Sequence, residues 1–208
     1  MGMTSPIEPV LHPVCIADLR PTQFTVGMRE VMRKRASWRE RRARDGGEWL
    51  GAHMVPVVHG PGDRFWIVDH HHLALALHLE GVEHVLVAVL AHLHDLPRKR
   101  FMAFLDARNW LHPYDAEGRR QDVKDLPHHV GKLADDPYRS LAGELRRAGG
   151  YAKVETPYTE FLWADFLRDR IGAKTIEGKF DKALDKAMAL ARSEAAKYLP
   201  GYAGPEPD

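Results

Sequence analysis

The residues best suited to chemistry in this chain are four in a row, an acid followed by three histidines. Residues 65–74 read FWIVDHHHLA, so an apolar strand is predicted to end at Asp69 and an apolar helix to begin directly after it. A helix start offers free backbone N–H groups and a partial positive charge, which together suit a phosphate. Histidines there could donate hydrogen bonds, bind a metal or transfer a proton, and Asp69 could hold Mg²⁺ through water.

A purely structural interpretation of each candidate stays open. Asp69 could serve only as the N-cap of the helix, with one histidine buried and another facing water. Glu30 lies on a predicted helix four residues before Lys34, which is the spacing of an ordinary surface ion pair. Thr22 and Gln23 could simply cap that helix. Because the three histidines stand at a strand-to-helix junction, we favour a functional site there.

Two further groups of residues could bind ligands. His92 and His94 lie on one face at the end of a predicted strand, and with residues 69–72 they could form a metal site. Solvent-exposed histidines at a strand end are an equally good interpretation. The predicted helix carries eight Lys or Arg between Arg29 and Arg44, which could contact nucleic-acid phosphates or form a solvated helix face.

The composition is that of an ordinary globular protein. The chain has 208 residues, of which 44% are hydrophobic and 28% charged, and its formal net charge is +1. A dedicated nucleic-acid binder is usually more basic. The single cysteine, Cys15, excludes an internal disulfide and a four-cysteine zinc site within one chain. No apolar run approaches a membrane span and no signal pattern opens the chain, so we expect a cytoplasmic protein without a membrane partner.

The elements that must position these residues divide the chain into two parts. Periodicity and turn signals predict, in the first part, a strand at 14–19, a helix at 26–44 ended by Gly46-Gly47, a hairpin at 54–68, a short helix after Asp69 and a strand at 82–93. The second part is helical, with helices predicted at 98–110, 137–147, 158–170 and 180–198. We therefore predict an α+β fold, with a small mixed-sheet domain over residues 1–96 and a mainly helical region over 97–208 packed on it.

Two segments of the first part resemble signatures of the ParB/sulfiredoxin-like superfamily. Residues 68–72 (VDHHH) are similar to its Asp-Gly-His-His-Arg signature, and residues 16–23 (IADLRPTQ) resemble its opening strand and Pro-x-Gln turn. The spacing between the two segments and the intervening hairpin are also similar. The chain departs from the signature at His70, which stands in place of the glycine. We also take His72 to stand in place of the signature's arginine, so that a protonated histidine, Arg20 or Arg139 could supply the lost charge.

The closest resemblance is to the stand-alone ParB-like nuclease family. It covers most of the chain and is carried by Pro21-Thr22-Gln23, Val26-Gly27, Glu30-Val31 and the segments 68–72, 135–140 and 160–164. The superfamily includes CTP-hydrolysing partition proteins, sulfiredoxin and an ADP-dependent serine kinase. In these proteins the nucleotide phosphates lie near the helix that follows the second signature.

This resemblance implies nucleotide chemistry. By position, Glu30, Asp69, His71 and His72 would be catalytic, with Glu30 or His71 as the base and Asp69 as the ligand of Mg²⁺. The nucleotide, which could be ATP, ADP or CTP, would contact Arg20, Thr22, Gln23, His70, His71, His72 and Arg139.

We therefore expect a nucleotide-dependent phosphotransferase or nucleotide hydrolase acting on a small molecule or a nucleic acid. One alternative is a metal-dependent nuclease, as the family name suggests. Another is a non-catalytic partner or DNA-partition accessory protein, because the altered signature fits a site that no longer turns over. The sequence leaves the oligomeric state open.

Overall fold

Valine-rich runs form the centre of a mixed sheet in the first half of the chain. The computed structural model describes residues 12–205. In chain order its strands are His12–Cys15 (β1), Arg20–Pro21 (β2), Thr25–Val26 (β3), Val55–Gly60 (β4), Arg64–Ile67 (β5), His84–His92 (β6) and Ala134–Asp135 (β7). Five of them pair in the order β1-β6-β4-β5-β2, while β3 and β7 form a separate parallel pair. The long strands β4 and β6 are parallel and lie inside the sheet, where β-branched side chains pack well.

Helices cover the sheet and dominate the second half of the chain. They are Met28–Ala52 (α1), His71–Leu79 (α2), Arg98–Ala107 (α3), Pro137–Arg147 (α4), Thr159–Arg168 (α5), Ala173–Gly178 (α6) and Phe180–Ala191 (α7). One apolar cluster joins α1 and α2 to the sheet, with Leu73 of α2 beside Val55 and Val87. A second cluster joins α3 and the following loop to Trp66 of β5. Helices α4 to α7 form a third cluster around Trp163.

The predicted stop at Gly46-Gly47 coincides with a break in α1, where two helical segments meet at Asp45 and the second continues to Ala52. The helix does kink at this point, since Asp45 has a non-helical φ of −147° and ψ of 28°. Trp38 and Trp49 are buried on either side of the kink, with their ring centroids 5.5 Å apart. The glycine pair permits the kink, and burial of the second tryptophan offsets the poor helix propensity of glycine.

The other predicted elements are present with shifted ends. The strand predicted at 14–19 ends at Cys15 and continues as a 3₁₀ turn over Ile16–Asp18. The helices predicted at 98–110 and 180–198 end earlier, at Ala107 and Ala191. Helix α6 has no counterpart in the prediction, because six residues are too few to show a helical period.

The predicted α+β class is confirmed: a small mixed sheet with its helices is followed by a mainly helical region. The boundary at residues 96 and 97 stays a prediction. The second apolar cluster contains Val58 and Trp66 from one side of that boundary and Phe101 and Leu105 from the other. Within residues 12–205, no helix is both long and apolar enough to cross a membrane.

Candidate functional site

A cleft of ≈ 520 Å³ opens at the start of α2. Its walls come from parts of the chain that are distant in sequence: the start of α2, one end of the β4–β6 strand pair, α4, and the segment 154–161 that leads into α5. Five of the sequence-predicted site residues line it, namely Gln23, Asp69, His71, His72 and Arg139. The fold therefore brings both signature segments and the start of α4 to one place.

The strand-to-helix junction has the predicted form, with β5 ending at Ile67 and α2 beginning at His71. The turn between them requires a left-handed residue, and His70 adopts φ 64° and ψ 24°. Glycine takes this conformation without strain, which explains the glycine of the signature, whereas histidine takes it at a cost. Asp69 is exposed at the edge of the cleft, and its Oδ1 accepts a hydrogen bond from the His70 N–H at 2.6 Å.

The first turn of α2 leaves backbone donors free. The N–H groups of His71, His72 and Leu73 have no acceptor among the residues that the structure describes, as the geometry of a helix start requires. No side chain caps this helix end. The prediction that His72 stands in place of the signature's arginine is wrong, because counting from Asp69 puts that arginine at Leu73, which is buried in the core at 1% exposure. The motif therefore offers the cleft amide donors without a cation of its own.

Two histidine rings are fixed beside these donors by bonds to the main chain. His71 Nε2 accepts a hydrogen bond from the Thr22 N–H at 3.2 Å, and His72 Nε2 accepts one from the Gly27 N–H at 3.0 Å. Burial lowers the pKa of His71 to about 3, with help from nearby Arg139 and His70. Burial also lowers the pKa of His72 well below its ordinary value, again assisted by Arg139. Both rings are therefore neutral at pH 7, with the proton on Nδ1.

A buried arginine supplies the charge that the motif lacks. Arg139 of α4 is only 5% exposed and lines the cleft. Its guanidinium donates to the Thr25 carbonyl at 2.6 Å, lies 3.3 Å from Glu160 Oε1, and stacks 3.9 Å from the centre of the Phe161 ring. The Nε nitrogen is buried without a hydrogen-bond partner among the described residues. Arg139 is therefore a buried cation whose terminal nitrogens contact protein acceptors.

Aromatic rings form the wall opposite α2. Trp110, Tyr158 and Phe161 line the cleft, and His112 packs behind them with its ring centre 3.6 Å from that of Phe161. The Tyr158 hydroxyl donates to the Leu111 carbonyl at 2.9 Å, which fixes the ring. Burial, together with Arg139 and other arginines, lowers the pKa of His112 to about 3. The wall is therefore apolar and uncharged at neutral pH.

Several predicted site residues lie outside the cleft lining. Glu30 is paired with three cations of α1 and α4, the closest of them Arg147 at 2.7 Å. Arg20 donates to the carbonyl of His128, away from the cleft. Thr22 is buried behind His71 and donates its hydroxyl to the Ile67 carbonyl at 2.7 Å.

His70 is likewise absent from the cleft lining, and its ring Nδ1 lies 3.0 Å from the Met54 carbonyl, to which it donates. The roles predicted for these four residues stay predictions. The structure gives Thr22 a position from which it holds the His71 ring in place.

His92 and His94 do not join the 69–72 segment in a metal site. They lie beside His59, with the Nδ1 atoms of His59 and His92 at 3.3 Å.

The basic face of α1 is largely paired with acids. Arg35 and Arg39 both donate to Glu80, the residue that follows α2, at 2.6 and 2.8 Å. Arg33 and Arg41 also form ion pairs with carboxylates. These contacts compete with binding of nucleic-acid phosphates and favour the interpretation of this helix as a solvated, salt-bridged surface.

Trp110 and Arg146 also line the cleft, although neither was predicted as a site residue from the sequence. The position of Arg146 could have been predicted from its spacing, because it lies seven residues after Arg139 on α4, which is two helical turns along the same face. Glu160 had the signal of segment 160–164, which resembles the family, whereas Trp110 carries no local signal and reaches the cleft only through the packing of the second half of the chain.

Comparison with known proteins identifies the family. Residues 12–169 match the model of the family described as "Putative ParB-like nuclease". Among solved structures, the crystal structure of protein Atu1540 from Agrobacterium tumefaciens is 52% identical, with a TM-score of 0.89 over 96% of this chain and 100% of that one. No curated protein matches the chain. From the family match and this similarity we conclude that the chain belongs to the ParB-like nuclease family.

Proposed function

We propose that the cleft binds a nucleotide, with its phosphates at the start of α2 and its base against the aromatic wall. The observation that carries this proposal is Arg139, a buried cation that lines the cleft. It stands beside a helix start with free N–H groups at His71, His72 and Leu73. Cation and amide donors together form a site for an anion, and phosphate suits it best.

The charges of the cleft support a phosphate with a bound cation. Arg139 and Arg146 line it on one side, and Glu160 lies between them at 3.3 and 3.9 Å. An incoming phosphate would compete with Glu160 for both guanidinium groups. Asp69 is exposed at the edge, where its carboxylate would bind Mg²⁺ carried by the nucleotide.

The aromatic wall supports a nucleobase as the other end of the ligand. Trp110, Tyr158 and Phe161 line the cleft, and stacking on an aromatic side chain is worth about 1–3 kcal/mol per base. Because Arg139 and His112 pack against the Phe161 ring, Trp110 and Tyr158 would be the stacking partners. The Gln23 side chain also lines the cleft, and its Nε2 donates to the Thr25 carbonyl at 2.7 Å. Its amide oxygen would then accept a hydrogen bond from the ligand.

The reaction that this arrangement suits is phosphoryl transfer or nucleotide hydrolysis. His71 and His72 hold neutral rings with Nε2 occupied, so their role would be to donate Nδ1–H bonds to the phosphate oxygens as charge develops on them. A general base with this geometry would have to be Asp69 or a group brought by the acceptor. Glu30 would act as the base only after release from its three ion pairs.

Thermal denaturation with ATP, ADP and CTP, each with and without Mg²⁺, tests the proposal. A nucleotide present at about 100 times its Kd adds about 2.7 kcal/mol of stability, which raises the Tm of a chain of this size by roughly 5–10 °C. We expect one nucleotide to give this shift in Tm. The substitutions Arg139→Lys and Arg146→Gln should each reduce the shift, and Arg146 is the more exposed of the two arginines. Asp69→Asn should remove the part that depends on Mg²⁺.

Asp18→Asn is the matched control, because Asp18 is exposed, makes one weak pair at 3.9 Å and lies outside the cleft lining. It should shift like the wild type. No shift with any nucleotide, or equal shifts in the wild type and both arginine variants, would refute the proposal.

A metal-dependent nuclease is the second candidate, favoured by the family match over residues 12–169. Cleavage of single-stranded or duplex DNA with a divalent ion, lost in Asp69→Asn but kept in Asp18→Asn, together with no nucleotide shift, would establish it instead.

A further inference from the structure

A second group of side chains converges outside the cleft, at the ends of β4 and β6. His59 of β4, His92 at the end of β6 and His94 just after it each place one ring nitrogen within 4.8 Å of the other two. Within residues 12–205 no other three His, Cys, Asp or Glu side chains converge in this way. His59 lies three residues beyond Pro56 of the cleft, about 10 Å along the strand. We propose that these three histidines bind a divalent transition-metal ion of the zinc class.

The protonation of His59 supports this assignment. Its Nε2 lies 2.6 Å from Asp63 Oδ1, and a carboxylate only accepts, so Nε2 carries the proton. The lone pair of the neutral ring is then on Nδ1, which faces His92 Nδ1 at 3.3 Å. A carboxylate that fixes the far nitrogen of a histidine is the usual support for a metal ligand.

The distances suit a tetrahedral ion. Two nitrogens bound to zinc at about 2.0–2.1 Å with a tetrahedral angle lie about 3.3–3.4 Å apart, which is the separation of the two Nδ1 atoms. The His94 ring centre lies 4.7 Å from that of His59, and its side chain is 46% exposed, so rotation about its side-chain bonds can bring it to the ion. Asp95 lies 3.5 Å from His94 Nε2 and could support that ring in the same way.

The ligand set selects the kind of metal. Imidazole nitrogens favour zinc, copper, nickel and cobalt, whereas Mg²⁺ and Ca²⁺ prefer oxygen ligands. A bound ion would join β4 to the segment that follows β6. Because β4 and β6 pair in parallel, with His59 opposite His92, the ion would close this end of the sheet.

Titration of the metal-free protein with Zn²⁺ by calorimetry, with Co²⁺ absorption as a second readout, tests the proposal. We expect one ion per chain and the visible spectrum of tetrahedral Co²⁺. His92→Gln should abolish the binding, and Asp63→Asn, which keeps all three ligands, should weaken it about 10–100-fold. His84→Gln is the matched control, because His84 is an exposed histidine on the same strand but outside the cluster.

A second explanation of the contact is a simple hydrogen bond from His92 Nδ1–H to His59 Nδ1. It predicts no binding of Zn²⁺ or Co²⁺, or equal binding by the wild type and His92→Gln, and either result would overturn the proposal. Equal losses in His92→Gln and His84→Gln would also overturn it, since they would indicate nonspecific binding to histidines.

Discussion

The neutral histidines around the cleft predict a loss of stability in weak acid. His71 has a pKa of about 3 in the folded protein, because burial and the nearby Arg139 disfavour its charged form, against 6.5 for an ordinary histidine. Between these two pKa values, His71 is therefore protonated in the unfolded chain and neutral in the folded chain. The stability that depends on the neutral ring is complete above pH 6.5 and falls as the pH decreases toward about 3.

The expected magnitude follows from these two pKa values. Between pH 7 and pH 5 the free energy of unfolding should fall by about 2 kcal/mol for a ring with this shift. His112 has the same shift and should contribute a similar amount, and His72 acts in the same direction. The Glu80 carboxylate, whose pKa is held at about 2 by hydrogen bonds from Arg39 and Arg35, does not titrate in this range.

Urea unfolding at pH 7, 6 and 5 measures the effect. His71→Gln removes the titrating ring and keeps an acceptor for the Thr22 N–H, so its stability should fall by about 2 kcal/mol less than that of the wild type over this range. His84→Gln, which changes an exposed histidine, should follow the wild type. If His71→Gln loses as much stability as the wild type between pH 7 and pH 5, the assignment of a buried neutral ring is refuted.

Three substitutions test the packing that shapes the site, each by urea unfolding at pH 7. His70→Gly should leave stability unchanged or raise it by about 1 kcal/mol, because glycine relieves the left-handed φ of 64°; a clear loss would contradict the strain. Gly27→Ala should cost about 1–3 kcal/mol, because its Cβ would lie 2.8 Å from a backbone nitrogen of α4, whereas Gly47→Ala in an open part of α1 should not destabilise. Asp136→Ala should cost about 2 kcal/mol or more, because it removes the N-cap of α4 and one of the two carboxylates paired with Arg168, which keeps only Asp165; a loss below 1 kcal/mol would contradict this.

The part of the site formed by neighbouring residues could be predicted from the sequence. The apolar run before Asp69 and the short apolar run after it define the strand, the junction and α2, because both patterns lie within a few residues. The left-handed turn at His70 could not be predicted from its own residue type, since histidine disfavours that conformation. The only indication of a left-handed residue at position 70 was the glycine at that place in the Asp-Gly-His-His-Arg signature.

The parts that could not be predicted depend on pairing between distant segments. His59 lies 33 residues before His92, and their contact exists only because β4 and β6 are parallel and in a register that includes a bulge. The continuation of α1 to Ala52 depends in the same way on the packing of two tryptophans across the kink. Local patterns carry no information about such registers, so neither feature follows from periodicity.

The cleft contains a cation, Arg139, although the arginine of the signature is absent from the 69–73 segment. Position by position, the arginine of the signature falls on Leu73, whose side chain belongs to the core, so no substitution within the motif could restore a cation there without disturbing α2. The guanidinium comes instead from α4, held by the Thr25 carbonyl just before α1. Burial is the main cause of the low pKa of both histidine rings, and the nearby Arg139 charge lowers the pKa of each further, so both rings are neutral at pH 7.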